Sequence, residues 1–144
     1  MRKKVITHVK ALFVGHLELA EALPDDVFGQ KLSIRSNTVG GQFWCVIGAR
    51  ESYIRAIERD GWAGFSCSLS AEGSRNKQEV TSALKRTADA LDEVLNAIPW
   101  TDARDELLLA LLEHEAQHQG QLIRYVYALG HPFPKSWMKR WALS

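Results

Sequence analysis

Apolar side chains recur at three- and four-residue steps in four stretches of the chain, and none sustains the alternation of a strand. In the first, Val5, Val9, Leu12, His16, Leu19 and Leu23 share one stripe, predicting a helix from about Lys3 to Leu23 that Pro24 ends. The second starts at the Asn37-Thr38 cap signal and runs to about Asp60, with Gly61 as its stop. Val39, Phe43, Val46, Ile47, Ile54 and Ile57 form its apolar face. The third opens near Ser74 or Asn76 and carries Val80, Leu84, Leu91, Val94, Leu95 and Ile98 up to Pro99. The fourth begins near Thr101 or Asp102, has Asp105 and Glu106 in its first turn, and ends at Gly130. A short C-terminal helix fits between Pro134 and Leu143, with Trp137, Met138 and Trp141.

Four helices of about 20 to 27 residues predict an all-α chain, most simply a four-helix bundle. The turn at Pro99-Trp100 is short enough to make helices three and four antiparallel neighbours. Gly61 to Arg75 is rich in Gly and Ser and extends to about 50 Å, longer than the helices it joins. Such a segment either crosses the bundle, leaving helices two and three parallel, or forms a surface loop. No repeat or linker divides the chain, so residues 1–144 read as one domain.

Composition narrows the function by exclusion. Apolar residues at 46% and charged residues at 24% describe a globular protein rather than a disordered one. A net charge of +1 gives no support to a nucleic-acid or membrane-surface partner. No apolar run reaches the ~18 residues of a spanning helix, and no signal sequence follows Met1. Cys45 and Cys67 are too few for a disulfide framework, which points to a reducing cytoplasm.

The chemistry concentrates in His114-Glu115-Ala116-Gln117-His118. Residues four apart share a helix face, so both imidazoles can meet one metal ion. They fall on the stripe of Leu107, Leu111, Leu122, Tyr125 and Leu129, and neutral imidazole suits Zn, Ni, Cu or Fe. The bland alternative is a pair of hydrogen-bonded core histidines. The string also satisfies H-E-x-x-H, but Gln121 and Arg124 stand where the extended metalloprotease motif needs Gly and His, and no acid follows Glu115. A further ligand must come from another helix. His16 and Cys45 lie at similar depth, ~10 Å from a shared helix end, and either can also be a packed core residue. His8 and His131 read as solvent-facing, and Arg50 reads as a surface residue more readily than as an anion contact.

Two stretches are familiar. Asn37 to Tyr53 (NTVGGQFWCVIGARESY) resembles the second-helix motif of the DinB/YfiT-like superfamily, and HEAQHQGQL from His114 to Leu122 resembles its H-E-x-x-H-x-G-Q motif. The resemblance covers most of the chain. It implies an up-down-down-up four-helix bundle with Gly61 to Arg75 as crossover, frequent homodimers, and a divalent-metal site. Carried over residue by residue, the metal ligands are Cys45, His114 and His118, with Cys45 standing where the family usually has His. A Cys-His-His set suits zinc with water as fourth ligand; nickel is the other expected metal. Family activities imply a metal-dependent S-transferase using a low-molecular-weight thiol, or a hydrolase, acting on small molecules. Glu115 is the candidate base or supporting partner, and Gln121 and Tyr125 are candidate pocket residues. A non-catalytic binding or stress-associated module with a degenerate metal site is the alternative.

Overall fold

The computed structural model describes residues 1–144 and is all-helical. Four long helices, α1 (Arg2–Ala22), α2 (Val39–Arg59), α3 (Lys77–Ala97) and α4 (Asp102–Leu129), precede a short α5 (Lys135–Trp141). None is long and apolar enough to cross a membrane.

Local chemistry sets the helix ends. Leu23, forced out of the helical region by Pro24, is extended at ψ 140° and stops α1. Thr38 and Thr101 accept hydrogen bonds from the backbone N–H groups of Gly41 and Arg104, capping α2 and α4. Asn76, rather than Ser74, caps α3 by accepting from Glu79 N–H. Ser74 instead sits in the short 3-10 turn Gly73–Arg75, donating to the Ala71 carbonyl. Gly130 closes α4 in the left-handed conformation at φ 73°. At the end of α2, Asp60 takes that conformation at φ 56°, one residue ahead of the expected Gly61. A short Asp side chain tolerates it where a bulkier one would not.

Side-chain pairings fix the relative directions. Arg2 pairs with Asp105 and His16 with Glu115, so α1 and α4 run the same way. Arg50 pairs with Glu115 while Arg104 donates to the Ile57 carbonyl, so α2 runs against α4. Lys10 pairs with Asp92 and Lys77 caps the Leu23 carbonyl, so α3 runs against α1. Helices α1 and α2 each pack on both α3 and α4.

The segment between α2 and α3 runs back along α2 and is tied to it. Ser66 N–H donates to Ser52 Oγ, Ser68 donates to Glu51, and Trp44 Nε1 donates to the Leu69 carbonyl at 2.7 Å. Gly48 is where this strap comes closest: a Cβ there would stand 2.3 Å from the Phe65 ring. Gly40 has a similar role at the far end, where a Cβ would meet the Ser74 carbonyl oxygen at 1.9 Å.

Two apolar clusters fill the interior at different depths. One gathers Leu19, Phe43, Ile47, Leu84 and Leu122 with Val27 and Phe28 from a 3-10 turn (Asp25–Gly29) that periodicity does not reveal. The other gathers Val9, Phe13, Ile54, Leu91 and Leu108. Between them, at one level of the four helices, lie buried His16, Arg50, Thr87 and Glu115. Trp137 of α5 is buried against α1, its indole donating to the Gly15 carbonyl at 2.7 Å, and Trp141 donates to Gln119. Trp137 therefore serves the core of its own chain.

Candidate functional site

The polar layer is built around Glu115, which has no exposed surface. Arg50 grips it with two parallel bonds, Nε to Oε1 at 2.7 Å and Nη2 to Oε2 at 3.0 Å. The remaining guanidinium nitrogen reaches Thr87 Oγ1 at 3.3 Å and the Leu84 carbonyl at 3.4 Å. The Phe13 ring lies under the cation, 3.6 Å from ring centre to Cζ. One side chain from α2 thus joins α1, α3 and α4. This corrects the surface placement expected for Arg50. The missed signal was its position on the stripe of Phe43, Val46, Ile47, Ile54 and Ile57, at three- and four-residue steps. A charge buried on such a stripe demands a partner.

His16 of α1 closes the layer, its Nδ1 2.7 Å from Glu115 Oε2. It is a close polar contact and not a hydrogen bond, both ring nitrogens of His16 being without a hydrogen-bond partner. Burial alone would raise the Glu115 pKa, but the Arg50 charge first, and then the neighbouring His16, outweigh it and hold the carboxyl at about 2. A carboxylate this acidic and this enclosed is a weak base at neutral pH. Its geometry is that of a supporting partner to Arg50 and His16.

His114 and His118 stand side by side on α4, ring centres 4.5 Å apart. Burial, followed by the neighbouring His114 and His16, lowers the His118 pKa to about 4. Burial is also the main cause of a lowered pKa at His114, with His16 and Arg50 acting the same way against Glu115. Both rings are therefore neutral at neutral pH.

The hydrogen-bond network assigns the His118 tautomer. Gln42 Nε2 donates to Asn37 Oδ1 at 3.0 Å, which turns Gln42 Oε1 towards His118 Nδ1 at 2.8 Å. Since Oε1 only accepts, Nδ1 carries the proton and Nε2 keeps its lone pair. Tyr125 stiffens this support by donating its hydroxyl to Asn37 Oδ1. A ring nitrogen fixed by an acceptor, with the other left as a lone pair, is the form in which imidazole binds metals.

Asn37, Gln42 and Tyr125 also line an open groove of about 470 Å³ shared with Arg35, Gln121 and Arg124. Gln121 and Tyr125 thus border the same opening.

Cys45 of α2 is the third expected ligand. It is half-buried, burial raises its thiol pKa, and its charge acts on Cys67, which burial pushes up to about 11. No three His, Cys, Asp or Glu side chains are gathered at coordinating distance of a common point, so Cys45, His114 and His118 do not form a closed ligand set. The two α4 imidazoles fit a metal in their chemistry. His8 is exposed as expected, whereas His131 is half-buried. Sequence reasoning missed Gln42 and Gln119. Gln119 is buried, its Nε2 donating to the Leu12 carbonyl at 2.9 Å.

The chain matches no known family model and no curated protein.

Proposed function

We propose that this chain is a DinB/YfiT-like protein, one domain over residues 1–144, that holds a divalent metal ion, zinc or nickel, on His114 and His118. The helix directions and the strap back along α2 correspond to the up-down-down-up four-helix bundle that this reading requires. The observation that carries it is the neutral His118 ring, whose Nδ1–H is spent on Gln42 and whose Nε2 lone pair is free beside His114. A metal bound with an open position would lower the pKa of a bound water or thiol and supply a nucleophile at neutral pH.

The chain's own residues then divide the work. Gln42, Asn37 and Tyr125 orient His118, and Arg50 with Glu115 holds the helices that carry both histidines. The groove beside Gln42 receives a small-molecule substrate, with Gln121 and Tyr125 on its wall and Arg35 and Arg124 as its cations. We assign the reaction to S-transfer from a low-molecular-weight thiol or to hydrolysis, performed by a homodimer. Cys45 holds the family's helix-two ligand position by resemblance alone.

A panel of electrophilic small molecules, assayed with and without thiols and with a chelator, tests this reading. Thiol-stimulated, chelator-sensitive turnover that His118→Ala abolishes is expected. Wild type and His118→Ala behaving alike across the panel supports the second reading, a non-catalytic binding module. That no three His, Cys, Asp or Glu side chains gather around a common point is the observation that favours that second reading.

A further inference from the structure

The chain enters α2 through a closed turn. Lys31 and Thr38 pair as an isolated antiparallel bridge, and Val39 N–H donates to the Gln30 carbonyl at 2.9 Å. Inside the turn, Leu32 N–H donates to Ser36 Oγ at 2.9 Å. Arg35 therefore stands on backbone that is pinned on both sides of it. Tyr125 ties this turn to α4 by donating its hydroxyl to Asn37 Oδ1. Arg124 is the residue beside Tyr125, and Gln121 lies about one helical turn before both.

The gap between turn and helix is the groove of about 470 Å³, a size that suits a small molecule. Its floor is a built one. Gln42 and Tyr125 are buried, and Gln42 Nε2 donates to Asn37 Oδ1 at 3.0 Å and to the Tyr125 hydroxyl at 3.4 Å. Arg35 borders the groove from the turn and Arg124 from α4, and no acidic side chain lines it. Neither arginine enters an ion pair within the chain. Other arginines that reach across the fold are spent inside it: Arg2 on Asp105, Arg50 on Glu115 and Arg104 on the Ile57 carbonyl. Two like charges bordering one opening, with no acid there, favour an anion in it. Leu32 and Ile34 add an apolar wall. Ile34 is 71% exposed, more than any other large hydrophobic side chain except Met1.

We propose that this groove binds the carboxylate of a small organic acid between Arg35 and Arg124, with the apolar body of the acid against Ile34 and Leu32. The planar guanidinium fork matches a carboxylate with two parallel N–H to oxygen bonds, which a neutral amide cannot reproduce. This rests on the reading of the groove as the small-molecule site and names the class of molecule it takes. The binding step itself uses no metal.

Titration of metal-stripped, tag-free protein with phenylacetate, followed through backbone amide shifts by NMR, reads the site directly. Its neutral isostere phenylacetamide is titrated in parallel. Phenylacetate should give saturable shifts at Arg35, Ser36, Gln121 and Arg124, and phenylacetamide should bind about tenfold more weakly or worse. Arg35→Gln and Arg124→Gln should each weaken phenylacetate about tenfold. Arg59→Gln, at the exposed end of α2, removes the same charge outside the groove and should bind as wild type does. The two groove arginines are exposed and outside any ion pair, so these variants keep the fold, which the same spectra verify. Equal affinity for the acid and the amide, equal losses in Arg59→Gln and Arg124→Gln, or no saturable shift in the groove overturns the proposal. Because the protein is metal-stripped, failure of the metal reading leaves this titration unchanged. Conversely, chelator-sensitive turnover in a protein that does not bind phenylacetate overturns the carboxylate assignment alone.

Discussion

Replacing Glu115 by Gln tests whether the polar layer is a structural keystone. The substitution keeps the shape and removes the charge, leaving the Arg50 guanidinium buried, with no exposed surface and no counter-ion. Breaking a buried pair from one side destabilises a protein by about 3–5 kcal/mol. For a chain of this length that corresponds to a fall in Tm of about 10–15 °C. The same logic makes the reverse case informative. Removing both partners, as in Arg50→Met with Glu115→Leu, leaves no orphaned charge and fills the layer with apolar volume. That double variant should lie well above the sum of the single losses, and buried pairs replaced this way are often neutral. Urea unfolding followed by circular dichroism gives the four corners of the cycle. A loss below about 1 kcal/mol for Glu115→Gln would refute the reasoning, because such values belong to solvent-exposed pairs. Additive losses in the double variant would refute it as well.

Further outcomes follow from other contacts. The Glu115 carboxyl, held at about 2 against an ordinary 4.5, contributes stability that is present above pH 4.5 and lost as pH falls towards 2. By linkage this amounts to about 3 kcal/mol, and Glu115→Gln should abolish that pH dependence in an acid titration. His118, lowered from 6.5 to about 4, protonates more readily when unfolded, so metal-free protein should lose stability from pH 6.5 down to 4. His118→Gln should flatten that upper part of the curve. Gly40→Ala drives a methyl into the Ser74 carbonyl and should cost about 2–3 kcal/mol or more, seen as a lower urea midpoint at unchanged slope. Gln42→Leu frees the His118 ring and should weaken metal affinity about 10–100-fold in competition with a chromophoric chelator.

Helix identity was legible because its signals are local. Thr38, Asn76 and Thr101 lie within three residues of the N–H groups they cap, and Pro24 acts on the residue beside it. The histidine pair was legible for the same reason, since a four-residue spacing fixes a shared face. The polar layer was not. Arg50 and Glu115 are 65 residues apart, and only the helix directions bring them together. An arginine on an apolar stripe reads as a snorkelling surface residue until its acid partner is known. The short turn that buries Val27 and Phe28 has no period to detect, being only five residues long.

Metal content tests the central claim most directly. Elemental analysis of protein prepared without an affinity tag, dialysed against zinc or nickel, should give stoichiometric metal in wild type and a loss in His114→Ala and His118→Ala. Equal metal in all three proteins, or none in any of them, would contradict a site built on this pair.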